Sequence, residues 1–309
     1  MQSGFIWKNG TMMPWEDAQT HVLTHGLHYG SAVFEGIRFY DTDDSPAVFK
    51  LKEHINRLFY SAKQISMDIP YTVDQLAQAC VDTIRDNNIR AGYIRPLAYF
   101  GAGPLKVVPH PDLPVDVIVA VWPWGDYLAV KMVDIATSQY IRIHPGSSVV
   151  NAKISGHYVN SMLAGLAIRG TKYHEALMLD ADGYVAEGSA ENIFIVKDNK
   201  IITPPIGTIL EGITRHTVMD IASACGIPVE ERKFRKEEIL TADEAFFSGT
   251  AVEITPIRSL DDVVIADGQM GPISQKIQKM YQEVVHGRVP AFRDALTYVM
   301  SQDEMSVVP

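Results

Sequence analysis

The amino-acid sequence predicts a mixed fold in two domains, α+β in its first half and α/β-like in its second. Three observations carry that expectation. The chain has 309 residues, and a domain takes roughly 100–200. Apolar residues recur at helical spacing in some windows and as strand-like runs in others. Between the halves, "WPWGDYLAV" crowds proline, glycine and bulky aromatics, the composition of an interdomain connection. The expected division is 1–123, a linker at 124–134, and 135–309.

The elements follow in order. "FIWKNGTMM" reads as a hairpin turning at Asn9-Gly10. "HGLHYGSAVFEGIRFY" sets Tyr29, Phe34 and Arg38 among glycines and reads as a pocket-lining loop. "AVFKL" is a short strand. In "KEHINRLFYSAKQI" the residues Ile55, Leu58, Phe59, Ala62 and Ile65 have helical spacing. A second helix runs from Thr72 to Ile89 with Leu76, Ala79, Cys80, Thr83 and Ile84 on one face. "YIRPLAYF" and "VDVIVAVWPW" are strands, the second buried on both faces. In the second half, helices are expected over Tyr158–Arg169, Thr214–Cys225 and Ile273–His286, with Gly226-Ile227-Pro228 stopping the middle one. Glu175 to Ile202 is a meander turning at Asp-Gly and Asp-Asn. The last twenty residues read as a helix and a frayed end.

Composition excludes several classes. Apolar residues make up 47% and charged residues 21%, ordinary for a globular protein with a large core. A formal net charge of -10 without a basic run argues against nucleic acid and anionic membranes as partners. The start has no basic region followed by an apolar stretch, and no run approaches the length of a membrane span, so a cytoplasmic location is expected. Cys80 and Cys225 are far apart and read as two buried free thiols in a reducing compartment. They offer too few thiolates for a zinc site, and none of the ten histidines stands in an HExxH pair, so no metal is expected.

Six segments could carry chemistry. Lys153, in "NAKISGHYVNS", has no carboxylate within seven positions on either side. It is either a loop lysine in solvent or an amine desolvated enough to act as a nucleophile. Glu187 and Glu191, in "GYVAEGSAENIF", are either strand-end carboxylates, solvated or bonded to backbone amides, or one of them is a partner for a buried cationic ring nitrogen. Gly212, Ile213 and Thr214, in "LEGITRHTV", open a helix whose amides can hold a phosphate; Thr214 is alternatively an ordinary N-cap. Ser248, Gly249, Thr250 and Ala251 let backbone approach an anion closely, or form a plain turn. Arg57, in "EHINRLF", can clamp a phosphate or lie on the surface. Tyr93 and Arg95 are two apart in a strand and share a face, where Arg95 meets either a carboxylate or a cross-strand partner. A lone Gly-x-Gly at Gly101 lacks the rest of a dinucleotide fingerprint.

Taken together, "LHYGSAVFEGIRFY", "HINRL", "YIRP", "AKISGHY", "EGSAENIF", "LEGITR" and "SGTAVEITP" resemble, in order and spacing, the class IV, fold type IV pyridoxal-phosphate aminotransferases. The likeness runs from about Ile6 to Tyr281 and is nearest to the branched-chain amino acid branch, which Tyr93-x-Arg95-Pro96 favours over D-amino acid aminotransferase and aminodeoxychorismate lyase. The resemblance implies a smaller N-terminal α/β domain and a larger C-terminal pseudo-barrel domain carrying the cofactor lysine. Pyridoxal 5'-phosphate is the implied cofactor, with Lys153 as its covalent anchor. Arg57, Gly212, Ile213, Thr214 and Thr250 match the phosphate site, Glu187 the carboxylate opposite the ring nitrogen, and Tyr158 the tyrosine at the ring hydroxyl. Tyr93, Arg95, Thr250 and Ala251 match the substrate carboxylate site. Phe34, Trp124, Tyr127 and Tyr158 match the side-chain pocket, and Arg38, Tyr29 or Arg95 is the implied contact for glutamate's second carboxylate. Tyr29 and the loop at Val107 and Val108 match segments given by a neighbouring subunit, implying a homodimer at least, with a trimer of dimers as the larger alternative. Implied partners are amino acids and 2-oxo acids. A sister enzyme of the same fold, amine transaminases included, and a non-catalytic ligand-binding protein are the competing readings. The pattern assigns nothing to His157 or to the tail after Gly287.

Overall fold

The computed structural model describes residues 4–125 and 130–300. Tyr127 and the last nine residues lie outside that range. The described chain divides into two compact units. One comprises 4–125, Ala152–Gly156 and 283–300; the other 130–151 and His157–Gln282. The segment carrying Lys153 therefore belongs with the N-terminal half, although the chain on both sides of it does not. This division differs from a single cut at 124–134, because residues 152–156 pair with a strand of the N-terminal half.

In the first unit, β1 (Phe5–Lys8) and β2 (Thr11–Pro14) form the expected hairpin. Asn9 and Gly10 both take positive φ, 50° and 89°, as a two-residue turn matched to strand twist requires. The stretch expected as a loop is instead α1 (His25–Tyr29), β3 (Ala32–Phe34) and β4 (Ile37–Tyr40). Its glycines punctuate short elements rather than dissolving them, and Gly30 ends α1 in a left-handed conformation. β5 (Ala47–Phe49), α2 (Leu51–Gln64) and α3 (Val73–Asn87) follow, then β6 (Gly92–Phe100) and β7 (Val115–Trp122). α2 buries Leu51, Ile55, Leu58 and Ala62 as one stripe. α3 starts at a capping box made by Thr72 and Gln75. The tail is not helical to its end. A 3-10 turn over Pro290–Ala295 leads into a strand, Leu296–Tyr298, paired with β5. That pairing is invisible locally, because the partner strand is near the other end of the chain. The sheet runs C-terminal strand, β5, β4, β6, β7, β1, β2, with β3 also on β6.

The second unit holds β8 (Val133–Thr137), α4 (Tyr158–Ile168), β9 (Glu175–Leu179), β10 (Val185–Glu187), β11 (Asn192–Lys197) and β12 (Lys200–Thr203). Then come α5 (Ile213–Ala224), β13 (Val229–Glu231), α6 (Lys236–Leu240), β14 (Glu244–Gly249), β15 (Glu253–Leu260) and β16 (Val263–Val264), followed by α7 (Pro272–Val285). β10, β9, β8, β15, β14 and β11 pair in that order, and β11 pairs back to β10. Six strands thus close a ring, which removes the exposed edges of an open sheet. Val133, Leu177, Ile193, Ile195, Phe247 and Ile257 belong to one buried cluster on these strands. The Asp198-Asn199 turn has positive φ at both residues, 51° and 59°. Cys80 is buried, whereas Cys225, expected buried, is half-buried at the C-cap of α5; both are free thiols. Among the described residues no helix is long and apolar enough to cross a membrane.

Candidate active site

The expected site residues fall on both units. In the first, the Lys153 segment is held as an extra edge on β3. Phe34 N donates to Lys153 O at 3.2 Å, Gly156 N to Gly30 O at 3.1 Å, and Lys153 N to the buried hydroxyl of Ser61 at 2.9 Å. These bonds fix the backbone of Lys153, and its ammonium nitrogen sits 5.0 Å from the centre of the Phe34 ring. The Arg95 guanidinium faces the same ring at 4.8 Å and the Tyr93 ring at 5.4 Å. Tyr93 stacks on Trp124 at 4.8 Å, and Arg38 donates to Gly125 O at 2.6 Å. Lys153, Phe34, Tyr93, Arg95 and Trp124 are therefore one cluster of cations and aromatic faces. Arg95 Nε is buried without a hydrogen-bond partner, a donor suited to an incoming anion. Tyr29 packs instead on His25 and His28.

Gly30 admits the close approach this arrangement needs. Its φ is +64°, and a Cβ there would lie 2.7 Å from Gly156 Cα. Gly30→Ala should cost about 1–2 kcal/mol in backbone strain alone, with the clash added. The expected outcome is a lower unfolding temperature by calorimetry and a loosened Lys153 segment, read as faster amide exchange at Lys153 and Ile154.

Arg57 sits on a charged stripe of α2. His54, Arg57 and Ser61 are three and four residues apart and so face one way. Glu35, fully buried on the turn after β3, takes Arg57 Nε and Nη2 at 2.7 and 2.8 Å and His54 Nδ1 at 2.7 Å. Two parallel bonds fix the guanidinium plane. Burial alone would raise the Glu35 carboxyl, but Arg57 and His54 hold it well below the usual carboxylate range. Burial pushes His54 below its ordinary value, against the pull of Glu35. Both groups are thus depressed on folding, so each contributes stability above its unfolded pKa that is lost on acidification. The unfolding temperature should fall as pH drops from about 6.5, the ordinary histidine value, and again below the carboxylate range. His54→Gln, which keeps a donor but does not titrate, should remove the first decline in a calorimetric pH series.

In the second unit, cross-strand register sets Glu187, Asn192 and Ser248 side by side on β10, β11 and β14. Every hydrogen bond described at the Glu187 carboxylate comes from a donor: buried Arg142 Nε to Oε1, Asn192 Nδ2 to Oε2 at 3.0 Å, and Leu210 N to both oxygens at 3.2 and 3.1 Å. Such a set suits an ionised acceptor. Asn192 also donates to Leu210 O at 3.0 Å, fixing the segment that leads to α5. There the N-cap is Gly212, without a side-chain cap bond, so the alternative of Thr214 as N-cap is corrected. Thr214 is the second helical residue and is buried. A Cβ on Gly212 would lie 1.9 Å from Asn192 Oδ1, so glycine is what lets the helix start close against this row. Ser248 Oγ is buried without a partner, next to Gly249, Thr250 and Ala251. Tyr158 is the first residue of α4, and His157 meets Ser148 Oγ at 2.5 Å.

Over residues 32–260 the chain matches the family described as amino-transferase class IV. The chain belongs to the class IV aminotransferases. This class IV aminotransferase is 43% identical to the branched-chain-amino-acid aminotransferase of Pseudomonas aeruginosa, across 96% of this chain and 98% of that one. Among solved structures it is similar to the T.th. branched-chain amino acid aminotransferase complexed with N-(5'-phosphopyridoxyl)-L-glutamate. The TM-score is 0.94 and the identity 44%, with 97% of this chain and 100% of that one covered. The branched-chain amino acid aminotransferase from Escherichia coli gives a TM-score of 0.93 at 40% identity over 97% and 100%. The family's fold type IV architecture, including the closed second sheet, is the one expected from sequence. Glu35, His54, Ser61, Arg142 and Asn192 were not singled out by sequence. A carboxylate inside the apolar run "VFEGI" was a usable signal for Glu35; Arg142 had none.

Proposed function

We propose that the protein is a branched-chain amino acid aminotransferase, moving the amino group of L-leucine, L-isoleucine or L-valine to 2-oxoglutarate by a ping-pong mechanism. What supports this most is the backbone anchoring of Lys153 by Phe34 and Ser61, with its side chain at the Phe34 ring that Arg95 also faces, in a chain 43% identical to such an enzyme along almost its whole length. The donors described above fit pyridoxal 5'-phosphate. Arg57 and the uncapped start of α5 at Gly212, Ile213 and Thr214, with Thr250, would hold its phosphate; Glu187 would face its ring nitrogen and Tyr158 its ring hydroxyl. The orphaned Ser248 hydroxyl is a further buried donor beside Thr250. When bound, the cofactor supplies an aldehyde for covalent attachment and a ring that accepts an electron pair.

The protein's own groups do the rest. Lys153 Nζ, as general base, takes a proton from the α-carbon of the amino acid, and in the second half-reaction returns one to the α-carbon of the oxo acid. Arg95, with Tyr93, Thr250 and Ala251, receives the substrate carboxylate. Phe34, Trp124 and Tyr158 line the side-chain pocket; Tyr127, matched to it in sequence, lies outside the described residues. One methylene in such a pocket is worth about 1–3 kcal/mol, so discrimination among the three amino acids is modest. Glutamate's second carboxylate is met by Arg95, or by Arg38 or Tyr29.

The enzyme acts in the cytoplasm as a homodimer at least, Tyr29 and the Val107–Val108 loop completing the neighbour's site. Val107 and Val108 are 77% and 76% exposed, and α4 exposes Val159, Met162 and Leu166 at helical spacing. The test is a screen of L-leucine, L-valine, D-alanine and an aromatic amine, each against 2-oxoglutarate and pyruvate, beside sedimentation of the pure protein. Turnover of D-alanine or of the amine in place of L-leucine would overturn the assignment.

A further inference from the structure

His25, at the start of α1, is 1% exposed and has a place in none of the chemistry above. Its ring joins three parts of the first unit. Nε2 meets Lys106 O at 2.7 Å. A carbonyl only accepts, so Nε2 carries the hydrogen, and Nδ1 shares a hydrogen bond with the Ser31 hydroxyl at 2.6 Å. Ser31 immediately precedes β3, the strand that carries Phe34. The His25 ring also packs on Tyr29 at 4.6 Å and edge-on to Phe100 at 6.0 Å. The loop from Gly101 to Pro114 is closed at its neck by Gly101 N donating to Pro114 O at 2.7 Å, and His25 N donates to Gly101 O at 3.0 Å. The loop's centre is tied by the Lys106 bond to His25, one residue before two of the most exposed valines among the described residues.

We infer that His25 is a positioning residue that sets Tyr29 and the Lys106–Val108 loop as one block, and so fixes how that block meets substrate in the neighbouring subunit's site. A buried imidazole with both nitrogens engaged and one face on Tyr29 resists rotation of either part. The inference rests on the proposed homodimer in which these segments complete the neighbour's site. His25 touches no reacting atom, so its effect is expected on KM more than on kcat.

The test uses the cofactor-loaded enzyme and the variants His25→Ala and His25→Gln. In His25→Ala, hydrogen–deuterium exchange at Gly101 and Leu113, the loop amides that donate to Pro114 O and His110 O, should quicken about tenfold, the effect of losing roughly 1.4 kcal/mol of local protection. KM for L-leucine and 2-oxoglutarate should rise about tenfold, and His25→Gln should recover part of both. A mixed dimer made by co-expressing differently tagged His25→Ala and Lys153→Ala subunits then decides where His25 acts. Its one competent lysine lies in the subunit lacking His25, while the block serving that site comes from the subunit that keeps it. KM should return to the wild-type value. An unchanged KM in His25→Ala, or a mixed dimer that keeps the raised KM, overturns the inference. A monomeric wild type, or one inactive on L-leucine, would instead refute the proposed function, and the exchange data would still report the His25 tie separately.

Discussion

Replacing Lys153 by alanine is expected to lower transamination by about 10⁴-fold or more while leaving the protein folded. A general base is worth roughly 10²–10⁴, and the proposed covalent anchor of the cofactor would be lost with it. The fold should survive because the anchoring bonds at this position are made by the backbone. Phe34 N and Ser61 Oγ bond Lys153 O and N, and alanine keeps both. The variant should therefore unfold near the wild-type temperature and still bind pyridoxal phosphate non-covalently, with added methylamine restoring part of the rate. Borohydride reduction of the wild type, followed by peptide mapping, should place the adduct on Lys153. Near wild-type turnover by Lys153→Ala, or an adduct on another lysine, would remove Lys153 from the mechanism.

How much of this was legible in the sequence depends on range. The Asn9-Gly10 hairpin and the amphipathic helices α2 and α3 are local matters of turn chemistry and 3.6-residue spacing, and they appear where expected. The C-terminal strand, the closure of β10 onto β11, and residues 152–156 pairing with the first unit are decided by residues far apart in the chain. No periodicity reports such contacts. The site divides the same way. Lys153, Arg57 and Glu187 stand out by residue type and by the family pattern around them. Their supports do not: Glu35 is a single acidic residue inside an apolar run, and Arg142 meets Glu187 only after 45 residues of chain that include α4 and β9. The glycines of "HGLHYGSAVFEGIRFY" misled because glycine signals both loops and the ends of short elements.

Arg142 makes a second large effect separable into its parts. Glu187→Gln should lower kcat by about 10²–10³, the size expected when one fixed electrostatic partner of a developing charge is removed. It should also destabilise the protein by about 3–5 kcal/mol, since Arg142 would remain buried without its counter-ion. The glutamine amide would in addition turn its own N–H₂ toward Arg142, Asn192 or Leu210 N, which all donate. A structural role alone would predict that stability and rate fall together and recover together. Pairing Glu187→Gln with Arg142→Met distinguishes the two, because exchanging both charged partners for neutral ones of similar size is often close to neutral in stability. If Glu187 acts on the cofactor's ring nitrogen, the double variant regains most of its unfolding free energy in urea while kcat stays low, and the absorbance of the bound cofactor stays shifted from the wild type. If the double variant recovers rate along with stability, the carboxylate matters only as the counter-ion of Arg142, and the electron-accepting state of the ring must be maintained by another group.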